Sequence, residues 1–274
     1  MIDEYVQSAV KALLYEVSVQ PKPGLVDPLG HLSHPDMTVF TFIDSSLSLT
    51  QYFQQVAHAG LAYSGQDLRN LFYQIRPLGI QAEQDMLAAT HGINTHKGAI
   101  FSLGIVVAAS GYEQSLDSQK ILCVVKQMMT GIVEHDLGQL NKIRTAGEMQ
   151  FSKYGLTGSR GQAEQGFPTV SEFALPFLKQ ATGSLNDRLI DTLLVIARHT
   201  QDSNLIKRAG NLAIIEKVNR QIDLYFQLGA SNSTAGRKQL QKINFFFDEK
   251  NLSLGGSADL LILTIYFALI EKII

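Results

Sequence analysis

Apolar residues recur at three- and four-residue spacing from one end of the chain to the other, while the every-second-residue alternation of a half-buried strand is scarce. Such a chain can close a core only by packing helices. Tyr5, Ala9, Ala12, Leu13 and Val17 share one helical face and predict a helix over residues 3–18, ended by Gln20-Pro21-Lys22-Pro23. Asp36 is expected to cap a helix carrying Phe40, Ile43, Leu47 and Leu49, and Gln66-Asp67 with Pro77 to bracket another holding Leu68, Leu71, Phe72 and Ile75. Further helices are expected over 79–91, 98–110, 117–130 and 131–143 and, after a glycine-rich break near 155–166, over 169–181, 186–199, 209–228, 233–248 and 257–272. No repeat period, low-complexity tract or long linker interrupts the series, which predicts a single all-α domain over residues 1–274.

Composition narrows the function classes. Hydrophobic residues make up 45% of the chain and charged ones 18%, as in a compact soluble protein, and the net charge of −2 argues against a broad basic face for nucleic acid. An anionic ligand would have to be small and gripped locally. The lone Cys123, inside Ile121-Leu122-Cys123-Val124-Val125, reads as a buried small hydrophobe, and no disulfide can form within the chain. Met1-Ile2-Asp3-Glu4-Tyr5 lacks a basic leader followed by an apolar run, so cytoplasmic residence is expected. The most apolar runs, 99–109 and 260–270, fall short of the roughly 20 residues that span a bilayer and are expected to be core helices.

Chemistry concentrates where polar clusters meet helix starts. From His91 to Gly104 a glycine-flanked polar turn runs into an apolar helix; its free first-turn N–H groups, with Lys97 beside them, suit an anion such as phosphate, whereas Asn94 or Thr95 could equally be an ordinary cap. Two prolines stiffen the loop that presents Lys22, with Gly24 permitting a turn and Asp27, His31, His34 and Asp36 following. His31 and His34 lack cysteine partners and an HExxH pattern, which argues against zinc. Glu83 shares a helix face with Thr90 and is aimed toward the turn, where it could hold a metal or a sugar hydroxyl. Glycines surround Arg160 between Tyr154 and Pro168, leaving a guanidinium fork for phosphate, yet neither a P-loop nor GxGxxG is present. Asp202-Ser203-Asn204 with Lys207-Arg208 suits Mg²⁺ with phosphate or a capped short helix. In Gly255-Gly256-Ser257-Ala258-Asp259 the carboxylate would repel a phosphate unless a cation bridged them, so its functional reading is a metal ligand.

Taken together, Pro21-Lys22-Pro23-Gly24-Leu25-Val26-Asp27, Asn94-Thr95-His96-Lys97-Gly98-Ala99-Ile100-Phe101, Tyr154-Gly155 through Arg160-Gly161 to Gly166-Phe167-Pro168, Asp202-Ser203-Asn204 and Gly255-Gly256-Ser257-Ala258-Asp259-Leu260-Leu261 resemble the triphosphoribosyl-dephospho-CoA synthase family. The motifs stand in the family's order over nearly the whole chain. The resemblance implies an all-helical fold and a reaction in which ATP and 3′-dephospho-CoA give the 2′-(5″-triphosphoribosyl) derivative and adenine. That product is the prosthetic-group precursor for the acyl carrier protein of citrate lyase or malonate decarboxylase, reached through a separate transferase. The α-linked product implies inversion, hence one displacement at C1′ through an oxocarbenium-like transition state.

For that chemistry Asp27 or Asp36 is expected as base and His96 as proton or hydrogen-bond donor to adenine. Lys22, Lys97, Arg160 and Arg208 would position the triphosphate, with Gly24, His34, Asn94, Thr95, Ser203, Asn204, Gly255, Gly256 and Ser257 completing the substrate contacts. Mg²⁺ is expected with ATP, held by Asp202, Asp259 and Glu83. A homodimer is an open expectation; nucleic acid and membrane are not expected partners. The chain departs from the family pattern at Gln162, where Glu is expected, and at Ser203, Ala209 and Leu254; an amide at 162 would shift any acid role to Glu164 or another carboxylate. Two other readings stay open: a nucleotide N-glycosidase of the ADP-ribosyl hydrolase type, with water as acceptor, and a helical protein that binds nucleotide without turnover.

Overall fold

The computed structural model describes residues 1–30, 34–138 and 146–274, so His31 and the end of the helix expected over 131–143 lie outside the described residues. The first half carries α1 (Ile2–Ser18), α2 (Val39–Ser48), α3 (Thr50–Ala62), α4 (Arg69–Ala89), α5 (Lys97–Glu113), α6 (Ser118–Met128) and α7 (Ile132–Leu137). The second half carries α8 (Ala146–Tyr154), α9 (Gly158–Glu164), a π-helical turn (Thr169–Ala174) leading into α10 (Leu175–Gln180), α11 (Leu185–Arg198), α12 (Ser203–Ala209), α13 (Ala213–Gln227), α14 (Thr234–Glu249) and α15 (Gly255–Ile270). No strand forms among the described residues; the nearest thing is an isolated bridge between Asp27 and Gly30.

Two helices are apolar on every side, and they occupy the middle. α5 buries residues all round from Ala99 to Gly111 and α15 from Ser257 to Ile270, as expected of helices with no face to offer water. The amphipathic helices pack around them, and buried side chains from Tyr5 in α1 to Ile270 in α15 form one connected core. Among the described residues no single helix is long and apolar enough to cross a membrane; α5 and α6 pass only as a pair bent by 111°.

The helical series is therefore present, with local corrections. Pro77 does not end a helix: α4 runs through it, because Leu71, Phe72 and Ile75 before it and Ala82 and Met86 after it are buried on one continuous stripe. Asp36 does not cap α2, since Thr38 does so in a reciprocal box with Thr41. The break near 155–166 holds α9, the helix expected over 209–228 begins only at Ala213, after α12 has ended at the left-handed Gly210, and α3 and α8 answer to no expected helix. Cys123 is exposed: Ile121, Leu122, Val124, Val125 and Met128 take the inward positions of α6, and the residue between them points out.

α2 is inverted relative to its pattern. Phe40 is 76% and Leu47 56% exposed, while Ser45 and Ser46 face inward. Ser45 thereby arrives beside the polar turn that opens α5.

Candidate functional site

A cavity of about 1080 Å³ opens where the end of α1, the Lys22 loop, α2, α4, the starts of α5, α12 and α15, and α9 converge. It is at the upper end of the size range for small-molecule sites. Helix starts predominate because each brings unpaired N–H groups and short polar side chains to one place.

The inner wall is acidic. Lys22 is not offered to solvent from its loop; it is buried, and its Nζ donates to Glu16 Oε1 at 2.5 Å and to the Glu16 carbonyl at 2.7 Å. Asp202 caps α12 by accepting from the Asn204 and Leu205 N–H groups, and its other oxygen accepts from Ser257 N at 2.7 Å and Ser257 Oγ at 2.8 Å. Burial raises the Asp202 carboxyl, with those hydrogen bonds working against it. Asp259 accepts no hydrogen bond and forms no ion pair among the described residues, and it packs against the Cα of Gly98. Burial first, then the nearby Asp202 and Glu16 charges, push its carboxyl well above the usual carboxylate range. Glycine at 98 lets the Asp259 carboxylate sit where a Cβ would otherwise stand.

The lining also carries a braced set of cations. Lys97 Nζ pairs with Glu83 Oε1, so Glu83 does reach the turn, as a partner to lysine. Arg76 makes a fork of 3.0 and 3.1 Å to Asp136, and Arg160 Nε donates to Asp136 Oδ2 at 2.9 Å. Burial raises the Asp136 carboxyl, but the bonds from Arg160, His135 and Arg76 outweigh it and hold the group below its ordinary value. At the rim, Arg208 Nη1 donates to Asn251 Oδ1 at 2.7 Å and Nη2 lies 3.2 Å from His34 Nδ1, with Lys207 exposed beside it. His34 is lowered by burial and then by Arg208.

His96 lines the cavity as well. Its Nδ1 is 2.7 Å from Ser45 Oγ, its Nε2 is buried with no partner, and the Phe42 ring meets it edge-on at 5.0 Å. Burial, then the Lys22 charge, lower it to about 3, so the ring is neutral at neutral pH and acts as a hydrogen-bonding group rather than as an acid. Asn94 Oδ1 accepts from Lys97 N at 3.3 Å, a capping contact.

The cavity thus collects Lys22, His34, Glu83, Asn94, Thr95, His96, Lys97 and Arg160 from the first part of the sequence, and Asp202, Ser203, Asn204, Arg208, Gly255, Gly256 and Asp259 from the second. Gly24, Asp27, Asp36 and Ser257 do not line it. Gly24 adopts φ +65° with its Cα against the Leu252 carbonyl, a fit that only glycine allows. Asp27 organises its own loop, accepting from Lys22 N on one oxygen and from Leu29 N and Gly30 N on the other, so both oxygens are engaged in holding the loop. Asp36 is exposed, and Ser257 spends its hydroxyl on Asp202. Gln162 bonds Thr169 Oγ1 at 3.0 Å and Glu164 accepts from Gly131 N at 2.6 Å, so neither stands free as an acid.

Glu16, Ser45, Arg76 and Asp136 were missed. Glu16 had a signal: it occupies the buried stripe of α1, three and four residues after Leu13 and Ala12, where a carboxylate is out of place. Ser45 lay between the apolar residues of a helix that faces the other way, and Arg76 and Asp136 meet only in three dimensions.

The family model described as CitG: ATP:dephospho-CoA triphosphoribosyl transferase matches residues 2–274. A probable 2-(5″-triphosphoribosyl)-3′-dephosphocoenzyme-A synthase of Lactiplantibacillus plantarum is 51% identical over 268 residues, covering 96% of both chains. Protein CitXG of Leuconostoc mesenteroides subsp. cremoris is 48% identical over 97% of this chain and 58% of its own length, and a probable synthase of the same name from Streptococcus equi subsp. equi is 39% identical over 99% and 98%. No solved structure matches the chain. A match over essentially every residue, on a helical fold that draws the family-like motifs to one cavity, means that the chain belongs to the ATP:dephospho-CoA triphosphoribosyl transferase family.

Proposed function

We propose that this cavity is where the triphosphoribosyl group passes from ATP to the 2′-hydroxyl of 3′-dephospho-CoA with loss of adenine, residues 1–274 acting as one domain. The observation that carries the reading is Asp259: it is the cavity carboxylate with no hydrogen bond or ion pair among the described residues, in a cavity also lined by Lys97, Arg160 and Arg208. It replaces Asp27 and Asp36 as the base, contributing on the order of 10²–10⁴-fold. As the 2′-oxygen attacks C1′, its proton passes to Asp259 and the C1′–N9 bond breaks with its electron pair left on N9, so adenine departs as the anion and takes up a proton from water. Positive charge gathers on the ribose ring between the acidic wall and the departing base.

Lys97, Arg160 and Arg208 hold the triphosphate, with Lys207 added at the rim; Lys22 instead neutralises Glu16 and supports the acidic wall. His96, neutral, donates a hydrogen bond to adenine. Among the described residues no three His, Cys, Asp or Glu groups are placed to share an ion, Glu83 is paired with Lys97 and the Asp202 oxygens are taken, so of the expected metal ligands Asp259 is the one left open to an ion carried in with the ATP phosphates. No step here runs through a metal. Need for ATP supports a cytoplasmic enzyme, and the product's onward path to an acyl carrier protein through a second transferase belongs to the same reading.

The test is incubation of the protein with ATP and 3′-dephospho-CoA, with and without added Mg²⁺, followed by chromatography for adenine and mass measurement of the CoA product. Adenine formed only with acceptor, together with a triphosphoribosyl mass gain, is expected. Adenine without acceptor would make the cavity a hydrolase site, and ATP binding without adenine release would make it a binding site only.

A further inference from the structure

Helix α2 turns two serines inward at positions where packing alone would place apolar side chains. Ser46 spends its hydroxyl on the Phe42 carbonyl of its own helix at 2.7 Å, so it is accounted for locally. Ser45 is fully buried and reaches across instead: its Oγ accepts the Thr95 hydroxyl at 2.7 Å and lies 2.7 Å from His96 Nδ1. A hydroxyl carries one proton. Since the Thr95 proton is already directed at Ser45, the Ser45 proton has the Nδ1 lone pair as its acceptor, and no other acceptor for it occurs among the described residues. A neutral imidazole has one N–H, and with Nδ1 accepting, that proton sits on Nε2. Nε2 is buried and has no partner in the protein. His96 lines the cavity and Ser45 does not, so the end of the ring left for a ligand is Nε2.

We infer that Ser45 is a positioning residue: through the Thr95–Ser45–His96 relay it fixes His96 as the Nε2–H tautomer and presents that N–H to a ring nitrogen of a purine base in the cavity. The identity of the base rests on the transferase reading; the tautomer does not. Donation of this kind strengthens as negative charge collects on a departing base, so it favours the transition state over the bound substrate. A ring free to exchange its proton between the two nitrogens would present a donor only part of the time.

The histidine nitrogens of the isotope-labelled, ligand-free full chain, assigned by comparison with His96→Gln, are read by long-range proton–nitrogen correlation. An unprotonated-type Nδ1 and a protonated-type Nε2 are expected for His96. Ser45→Ala is expected to mix the tautomers and to lower kcat for adenine release by about 10-fold with KM for ATP unchanged. Thr95→Val, which removes the upstream proton without touching the buried position, is expected to mix them likewise. A wild-type ring protonated at Nδ1, or Ser45→Ala with both the His96 nitrogen shifts and kcat unchanged, overturns the relay. The wild-type spectrum requires no variant to fold and no turnover. Protonated Nε2 in a protein that releases no adenine would therefore sink the transferase reading and leave the relay standing, and adenine release from a protein protonated at Nδ1 would do the reverse.

Discussion

Asp259 and Gly98 are in contact through a missing side chain: a Cβ added to residue 98 would stand 1.9 Å from Asp259 Oδ2. A glycine in the first turn of the central helix and a carboxylate one turn into the last one are fitted to each other. Gly98→Ala must push the carboxylate aside, and a shift of about 1 Å at a reacting group costs on the order of 10²-fold in rate. We expect kcat for adenine release to fall by about that much, with the melting temperature nearly unchanged because the displaced atoms end a side chain at the cavity wall. A wild-type rate in this variant would remove Asp259 from the reaction.

Replacing Asp259 itself separates stability from activity. Its carboxyl is raised well above the ordinary carboxylate range, so the folded state holds that proton more tightly than the unfolded chain. The stabilisation this gives is complete below the unfolded pKa and disappears as pH rises through the folded one. At neutral pH, where the unfolded chain's carboxyl is ionised, keeping this side chain buried beside Asp202 and Glu16 costs stability, a cost that Asp259→Asn lacks. The variant should melt higher than the wild type at pH 7, lose that advantage below about pH 4, and lose roughly 10²–10⁴-fold in kcat. Thermal melts at both pH values with kinetics at neutral pH check all three.

Two lysines of the same cavity should fail differently. Lys22 and Glu16 are 1% and 3% exposed at their side chains, and Lys22→Ala leaves Glu16 buried without a partner, a loss of about 3–5 kcal/mol. Lys97 is 53% exposed in its pair with Glu83, worth at most about 1 kcal/mol. Lys97→Ala is expected to keep the wild-type melting point and raise KM for ATP by about 10-fold. Denaturant unfolding and initial rates on both variants distinguish the two; equal stability losses would contradict the burial argument.

His96 should make the fold acid-sensitive. Lowered from 6.5 to about 3, it takes up a proton in the unfolded chain before it does so in the folded one, so the stability it contributes is present above the unfolded pKa and lost as pH falls toward the folded value. Between pH 7 and pH 5 the loss amounts to about 2 kcal/mol. His96→Gln, with no proton to take up, should lose about that much less over the same interval in urea titrations. Parallel losses in the two proteins would show that the ring is not held neutral by its surroundings.

How far the sequence could be read follows from the range of the interactions involved. The helices were legible because periodicity is local: Tyr5, Ala9, Ala12, Leu13 and Val17 declare their common face whatever lies opposite. Where a local sign depends on its neighbours it misled. Pro77 passes through α4 because the stripe on both sides is buried, and Phe40 and Leu47 of α2 face outward while Ser45 and Ser46 face in.

Most of the candidate residues were also visible, since polar clusters at helix starts mark themselves by composition, and fifteen of them do line one cavity. Their roles were not visible. Lys22 looked like a presented charge until Glu16 met it, and Asp202 looked like a metal ligand until the N–H and hydroxyl of Ser257, fifty-five residues on, took up one of its oxygens. By itself the sequence determined an all-helical chain whose polar chemistry sits at the ends of helices, because secondary structure and capping are decided by residues a few positions apart. Only the tertiary structure decided which carboxylate stays unpaired, which cation is spent internally and which ring nitrogen is left without a partner. Those outcomes depend on charges and hydrogen bonds between side chains that no spacing in the sequence brings together.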